Sequence, residues 1–246
     1  MPYIKRTVKC GNINFCKEYF APHYQKKFSR ADKKKETSIK QGVINTIQAM
    51  QRLAWKIANN FSRKAGDLWV NIDYKAFVTR EQAMNAVTNY IRSLKYYAAK
   101  HGLPEIKYVI ITECQGGKWH HHIPLSKMPM EVVIGKWKHG RCTVGLMDEE
   151  FTYETLAKYV TAEEKPSRKK NPSKEEEQNA KKERRKNEKR WSGSRNLKDP
   201  EIEKKILMRA PRGDPKPPKG FYLLPGWKKE CDTSGNIYLE YMCMRI

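Results

Sequence analysis

The chain has no apolar run approaching the roughly 18 residues of a membrane-spanning helix, and its start, Met1-Pro2-Tyr3-Ile4-Lys5-Arg6, has no signal-peptide apolar core. A cytoplasmic protein without a membrane partner is the expectation. The six cysteines (Cys10, Cys16, Cys114, Cys142, Cys231, Cys243) include no Cys-x-x-Cys pair and no tight framework. Reduced thiols follow, and Cys10, Cys16 and His23 stand at a spacing that fits no common zinc pattern. No GxxxxGK[ST] loop occurs to cradle nucleotide phosphates, and no internal repeat is present. Acidic side chains are scarce: 27 Asp+Glu face 50 Lys+Arg, a net charge of +23. A balance that basic calls for a polyanion, and with the membrane set aside that partner is nucleic acid.

Composition divides the 246 residues into four stretches. Residues 1–36 form a basic arm with room for one or two short strands. Residues 37–164 carry regular periodicities. Residues 165–190 hold no large apolar side chain and read as a charged linker. Residues 191–246 form an extension expected to pack back on the core, with a short helix near Pro200–Arg209 and a strand over Asn236–Cys243.

Within the second stretch, Ser38-Ile39-Lys40-Gln41 is a capping-box pattern opening a helix to about Asn60. Leu68–Tyr74 alternates as a strand. Thr79-Arg80-Glu81-Gln82 opens another helix, which Gly102 ends. A strand over 106–113, a strand over 118–125, a short helix around 130–138 and a strand over 141–147 follow. The succession β-α-β-β-α-β predicts an α+β fold of the ferredoxin-like, split β-α-β kind, with both helices on one face of an antiparallel sheet. A final helix, Tyr153 to about Glu164, buries Tyr153, Leu156, Ala157 and Val160, while Tyr159 lies on its flank, where amphipathic packing is the ordinary explanation.

The densest chemistry is His120-His121-His122, directly after Gly116-Gly117. Side chains alternate across a strand, so His120 and His122 share a face and His121 takes the other. The preceding strand ends in Glu113. A two-residue loop sets Glu113 opposite His120, a four-residue loop sets it diagonally on the same face, and an odd loop turns it away. Two imidazoles and a carboxylate converging there make a divalent-metal site. His101 and His139 each precede a glycine at an expected helix end, where imidazoles commonly cap carbonyls.

This constellation resembles the HUH endonuclease superfamily, specifically the rolling-circle replication initiators (Rep proteins) of bacterial plasmids and phages. The resemblance covers about residues 68–200. It rests on the strand ending Asp73-Tyr74, on Glu113, on the histidine motif, on Leu156-Ala157-Lys158-Tyr159, and on Trp191-Ser192-Gly193-Ser194-Arg195-Asn196-Leu197-Lys198. The chain departs from the pattern at His121, where the family generally has a hydrophobic residue, so another pair of histidines stays open as ligands. It departs again at Ala162, where many Rep proteins carry a lysine three positions after the tyrosine; Glu163 and Lys165 stand nearby.

The resemblance implies a DNA nickase and strand transferase. Glu113, His120 and His122 would hold Mg²⁺ or Mn²⁺, and Tyr159 would be the nucleophile with Lys158 beside it. The product would be a 5′-phosphotyrosine and a 3′-OH primer. Trp119, Trp191 and Arg195 are candidates for stacking on exposed bases, against ordinary core packing for each tryptophan. The implied partners are single-stranded or origin DNA and a host helicase and polymerase, in a bacterial cell carrying a mobile element. Relaxases and single-strand transposases share this chemistry. A non-catalytic nucleic-acid binder is the other reading, though it has no use for Glu113 with paired histidines.

Overall fold

The computed structural model describes residues 3–21, 39–115, 117–147, 191–211 and 213–246. In chain order the elements begin with β1 (Tyr3–Cys10), β2 (Ile13–Phe20), α1 (Ile39–Asn60), β3 (Leu68–Asp73) and α2 (Arg80–Lys100). They continue with β4 (Val109–Gln115), β5 (Lys118–Leu125), α3 (Met130–Lys136) and β6 (Cys142–Leu146). The chain then adds β7 (Trp191–Gly193), β8 (Glu201–Leu207), β9 (Phe221–Leu223), β10 (Lys228–Cys231) and β11 (Ile237–Arg245). The fold is α+β with two antiparallel sheets. Among the described residues no helix is long and apolar enough to cross a membrane.

The chain divides into two units, Met1–Asn60 with Lys198–Ile246, and Phe61–Leu197. These divisions differ from the compositional ones at 36/37 and 190/191. Strand pairing is the reason: β1 lies between β2 and β8, and β11 pairs β2, so the two ends of the chain share one sheet. The N-terminal strands are core strands, with Ile4, Val8, Cys10, Ile13 and Cys16 buried. The helix expected near Pro200–Arg209 is instead the strand β8. Ile202 and Ile206 stand four apart, a helical spacing, but the same residues pair with Val8 and Ile4 across the β1–β8 ladder. Long-range pairing outweighs local propensity there. In the same unit α1 turns Gln51 to the strands, where it bonds Lys17 and Glu240.

The second unit contains the sheet β6-β3-β5-β4-β7. Its core forms where α2 and α3 cover one face. Leu68, Val70 and Ile72 from β3 and Ile123 and Leu125 from β5 meet Val87, Tyr90, Ile91 and Leu94 of α2 and Val133 of α3. The sequence patterns explain these elements. Thr79 and Gln82 close the capping box at the start of α2, each side chain bonding the other's backbone N–H. Gly102, at φ +64°, takes the left-handed position after the helix, and the His101 ring stacks on Tyr97. His139 packs beside Trp137 and Tyr74. At the far end of β3, a Cβ on Gly140 would stand 2.2 Å from the Asp73 carbonyl oxygen, so no larger residue fits that crossing.

Candidate metal centre

The β4–β5 hairpin closes through two residues, since Gln115 pairs Lys118, and Gly117 adopts φ +76°, a conformation suited to glycine in such turns. That loop length settles the parity question. Glu113 lies directly opposite His120, and Ile111 opposite His122. On the other side of β5, Asp73 pairs His120 and Asn71 pairs His122. Residues paired across antiparallel strands share a face, so Glu113, His120, His122 and Asn71 stand together on the face turned away from α2 and α3.

His120 Nε2 lies 3.3 Å from Glu113 Oε2, and His122 Nε2 lies 3.7 Å from the same oxygen. The two imidazoles meet edge to face, with ring centroids 5.5 Å apart. One ligand atom from each of the three side chains lies within 4.8 Å of the others. A six-coordinate Mg²⁺ with bonds of about 2.1 Å sets its ligand atoms about 3 to about 4.2 Å apart, so modest closure would bring the three onto one cation. Glu113 Oε1 is buried and without a hydrogen-bond partner among the described residues, as expected of an oxygen awaiting a ligand. The group can therefore hold a metal ion. Burial alone would raise the Glu113 carboxyl, but the N–H donors and positive charge that His120 and His122 present when protonated, in the acid range where the carboxyl titrates, outweigh it and bring the group down to about 2. The carboxylate is ionised at any physiological pH.

His121 belongs to a different environment. It is fully buried, with Nε2 2.9 Å from the Tyr74 hydroxyl and Nδ1 3.0 Å from Thr112 Oγ1. The Tyr74 hydroxyl donates to the Ala83 carbonyl at 2.9 Å, so its oxygen accepts from His121 Nε2–H, and the Thr112 hydroxyl, 3.6 Å from the weakly accepting Met84 Sδ, has the nearer and stronger acceptor in Nδ1. A neutral ring satisfies both contacts, and burial lowers the His121 pKa to about 3, helped by His120 and His122. Of the histidine pairs left open by the sequence, only His120 with His122 shares a face with Glu113. Tyr74 is equally committed, its phenol pushed well above the usual range by burial.

Residues 67–164 match the family model of replication-associated protein ORF2/G2P. That match is consistent with a replication initiator of the HUH kind. The matched segment takes in β3 through β6 and every member of the metal group. No curated protein and no solved structure matches the chain.

Placement of the remaining candidates is uneven. Trp191, beyond the matched segment, pairs Ile111 through β7, on the same sheet face as Glu113 and one strand beyond His122 in the same row. Arg195 is exposed in the turn after β7. Trp119 pairs Cys114 and, by alternation, shares the helix-side face with His121, so the structure does not bring it to Trp191. Tyr159 and Lys158, the helix expected to carry them, the 165–190 stretch and His23 lie outside the described residues.

Two contributors were missed in the sequence. Trp69 stacks on His122 with ring centroids 6.0 Å apart at 29°, and Asn71 bonds His122 directly. A signal existed: Trp69 and Asn71 alternate with the core residues of β3, and an asparagine inside a strand is disfavoured unless its side chain has work to do.

Proposed function

We propose that the chain is a rolling-circle replication initiator that nicks and rejoins single-stranded DNA at an origin, using a divalent cation and Tyr159. The observation that carries this reading is the meeting of Glu113, His120 and His122 on one sheet face inside a segment matching a replication-associated family. The order β6-β3-β5-β4, built from β-α-β-β-α-β, supports reading this unit as ferredoxin-like.

Glu113, His120 and His122 would bind Mg²⁺ or Mn²⁺, whose charge, when bound, offsets that of the scissile phosphate's non-bridging oxygens. The mixed oxygen and imidazole donors suit either ion. Tyr159, after loss of its phenolic proton to solvent or a neighbouring base, attacks phosphorus in line. The new bond joins the phenolic oxygen to the 5′-phosphate, the P–O3′ bond breaks, and the departing oxygen takes up a proton to become the 3′-OH primer. Lys158 would favour the phenolate electrostatically. Because the phosphotyrosine retains the diester's energy, rejoining needs no ATP, in keeping with a chain that has no phosphate-cradling loop. Unwinding and extension would fall to a host helicase and polymerase. Trp191, on the same face as Glu113, and exposed Arg195 are the stacking partners of exposed bases in this proposal.

The test is formation of a covalent adduct. Protein, Mn²⁺ and single-stranded DNA tiled from the sequence flanking the reading frame should give a slower band on a denaturing gel. Tyr159→Phe should remove that band and leave DNA binding unchanged. An undiminished adduct in the variant would move the nucleophile elsewhere, and no adduct with any tile, in Mn²⁺ or Mg²⁺, would overturn the nicking assignment.

A further inference from the structure

The middle of β3 is an unusual place for an amide. Val70 and Ile72 on either side face the core, while Asn71 faces the metal group. Its Oδ1 and Nδ2 are alike in shape, so only its partners can say which is which. The indole decides. Trp69 Nε1–H is a donor and nothing else, and it lies 2.9 Å from Asn71 Oδ1, while Asn71 Nδ2 lies 3.5 Å from Thr143 Oγ1. With the oxygen fixed on that side, the 2.6 Å contact to His122 Nδ1 requires the proton to sit on Nδ1. A neutral imidazole carries one such proton, so the lone pair is on Nε2, the nitrogen turned toward Glu113.

We propose that Asn71, its amide held by Trp69, is a positioning residue that keeps His122 in the Nδ1–H tautomer and so directs the Nε2 lone pair at the cation site. The proposal rests on the metal-centre reading above. Three observations converge on it: the short Asn71–His122 bond, the donor-only indole that fixes the amide, and the same indole stacked on the His122 ring. Together they set both the ring's protonation and its plane before any ion arrives. Metal-bound histidines are commonly held this way through their second nitrogen, and loss of such a partner typically costs about 10- to 100-fold in metal affinity.

Two measurements on the full chain test it. Long-range ¹H–¹⁵N correlation spectra of metal-free protein should show His122 as the Nδ1–H tautomer in the wild type and as a mixture in Asn71→Ala. Calorimetric Mn²⁺ titration should show Asn71→Ala binding about 10- to 100-fold more weakly. Asn71→Asp, which keeps an acceptor at the same place, should restore affinity, a rescue that a purely structural role would not produce. Trp69→Phe, which frees the amide to turn over, should lose less than about tenfold and serves if Asn71→Ala fails to fold. An Nε2–H tautomer in the wild type, or wild-type Mn²⁺ affinity in Asn71→Ala, would overturn the proposal. Wild-type protein that holds the Nδ1–H tautomer but binds no Mn²⁺ would instead overturn the metal-centre reading.

Discussion

Of three consecutive imidazoles, two face a carboxylate and the third is sealed between Tyr74 and Thr112, so one sequence motif contains two kinds of histidine. Their difference has a thermodynamic signature. A histidine in the unfolded chain titrates near 6.5, and His121 in the fold near about 3. Between those values the unfolded chain binds a proton that the folded one refuses, so acid favours unfolding. His121 thus leaves stability untouched above about pH 6.5 and erodes it as pH falls toward 3, by roughly tenfold in the folding equilibrium per pH unit. Glu113 acts in a lower window: its depressed carboxyl adds stability above about 4.5 that is lost as pH falls toward 2. His121→Leu replaces the buried ring by a hydrophobic side chain that binds no proton. Urea midpoints at pH 7, 6 and 5 should show a flatter acid limb for this variant than for the wild type, with Mn²⁺ binding retained. Parallel pH profiles would show that His121 does not control the acid response.

At the scale of elements, the site depends on the parity of one turn. Because Gly116-Gly117 is a two-residue loop, Glu113 and His120 are partners; one extra residue forces a bulge or a slip that turns one strand's side chains to the other face. One glycine inserted after Gly117 should lower Mn²⁺ affinity at least about tenfold, and a second should recover most of it, since even loops keep both strands on the same face. Equal affinity in the one-residue insertion would mean that hairpin register does not build the site. Capping box, alternation and the glycine turn were legible in the sequence for the same reason: each is a local rule, satisfied by residues a few positions apart. The grouping of Glu113, His120 and His122 was legible because a hairpin makes its contacts local too. What escaped was set by distant partners. Ile202 and Ile206 keep helical spacing yet belong to a strand because β1 is there to receive them, and Asn71 is explained only by His122, 51 positions away. Gly140 is another such case, required by the Asp73 carbonyl that a Cβ would strike.

At the scale of the whole molecule, the charge of +23 is the dominant fact, and it bears on DNA binding more than on folding. Each unit has its own sheet and core, and the 27 acidic side chains can neutralise at most 27 of the 50 lysines and arginines. The basic excess is therefore available for phosphates, where it acts by releasing counterions and is blind to sequence. On the function proposed above, recognition of the origin comes from the smaller set of groups able to touch bases, with Trp191 and Arg195 the candidates among the described residues. These two contributions separate on titration with salt. With roughly six phosphate contacts on single-stranded DNA, the slope of log K against log salt should be about −4, and moving from 50 to 200 mM salt should weaken binding by roughly 300-fold. Fluorescence anisotropy with origin and scrambled oligonucleotides should return nearly the same slope for both, offset by the base-specific contribution. Trp191→Ala should narrow that offset and leave the slope alone, whereas replacing lysines should flatten the slope and leave the offset. A slope near zero would deny the surplus charge its role on DNA, and an offset unmoved by Trp191→Ala would send the search for base recognition to residues other than this tryptophan.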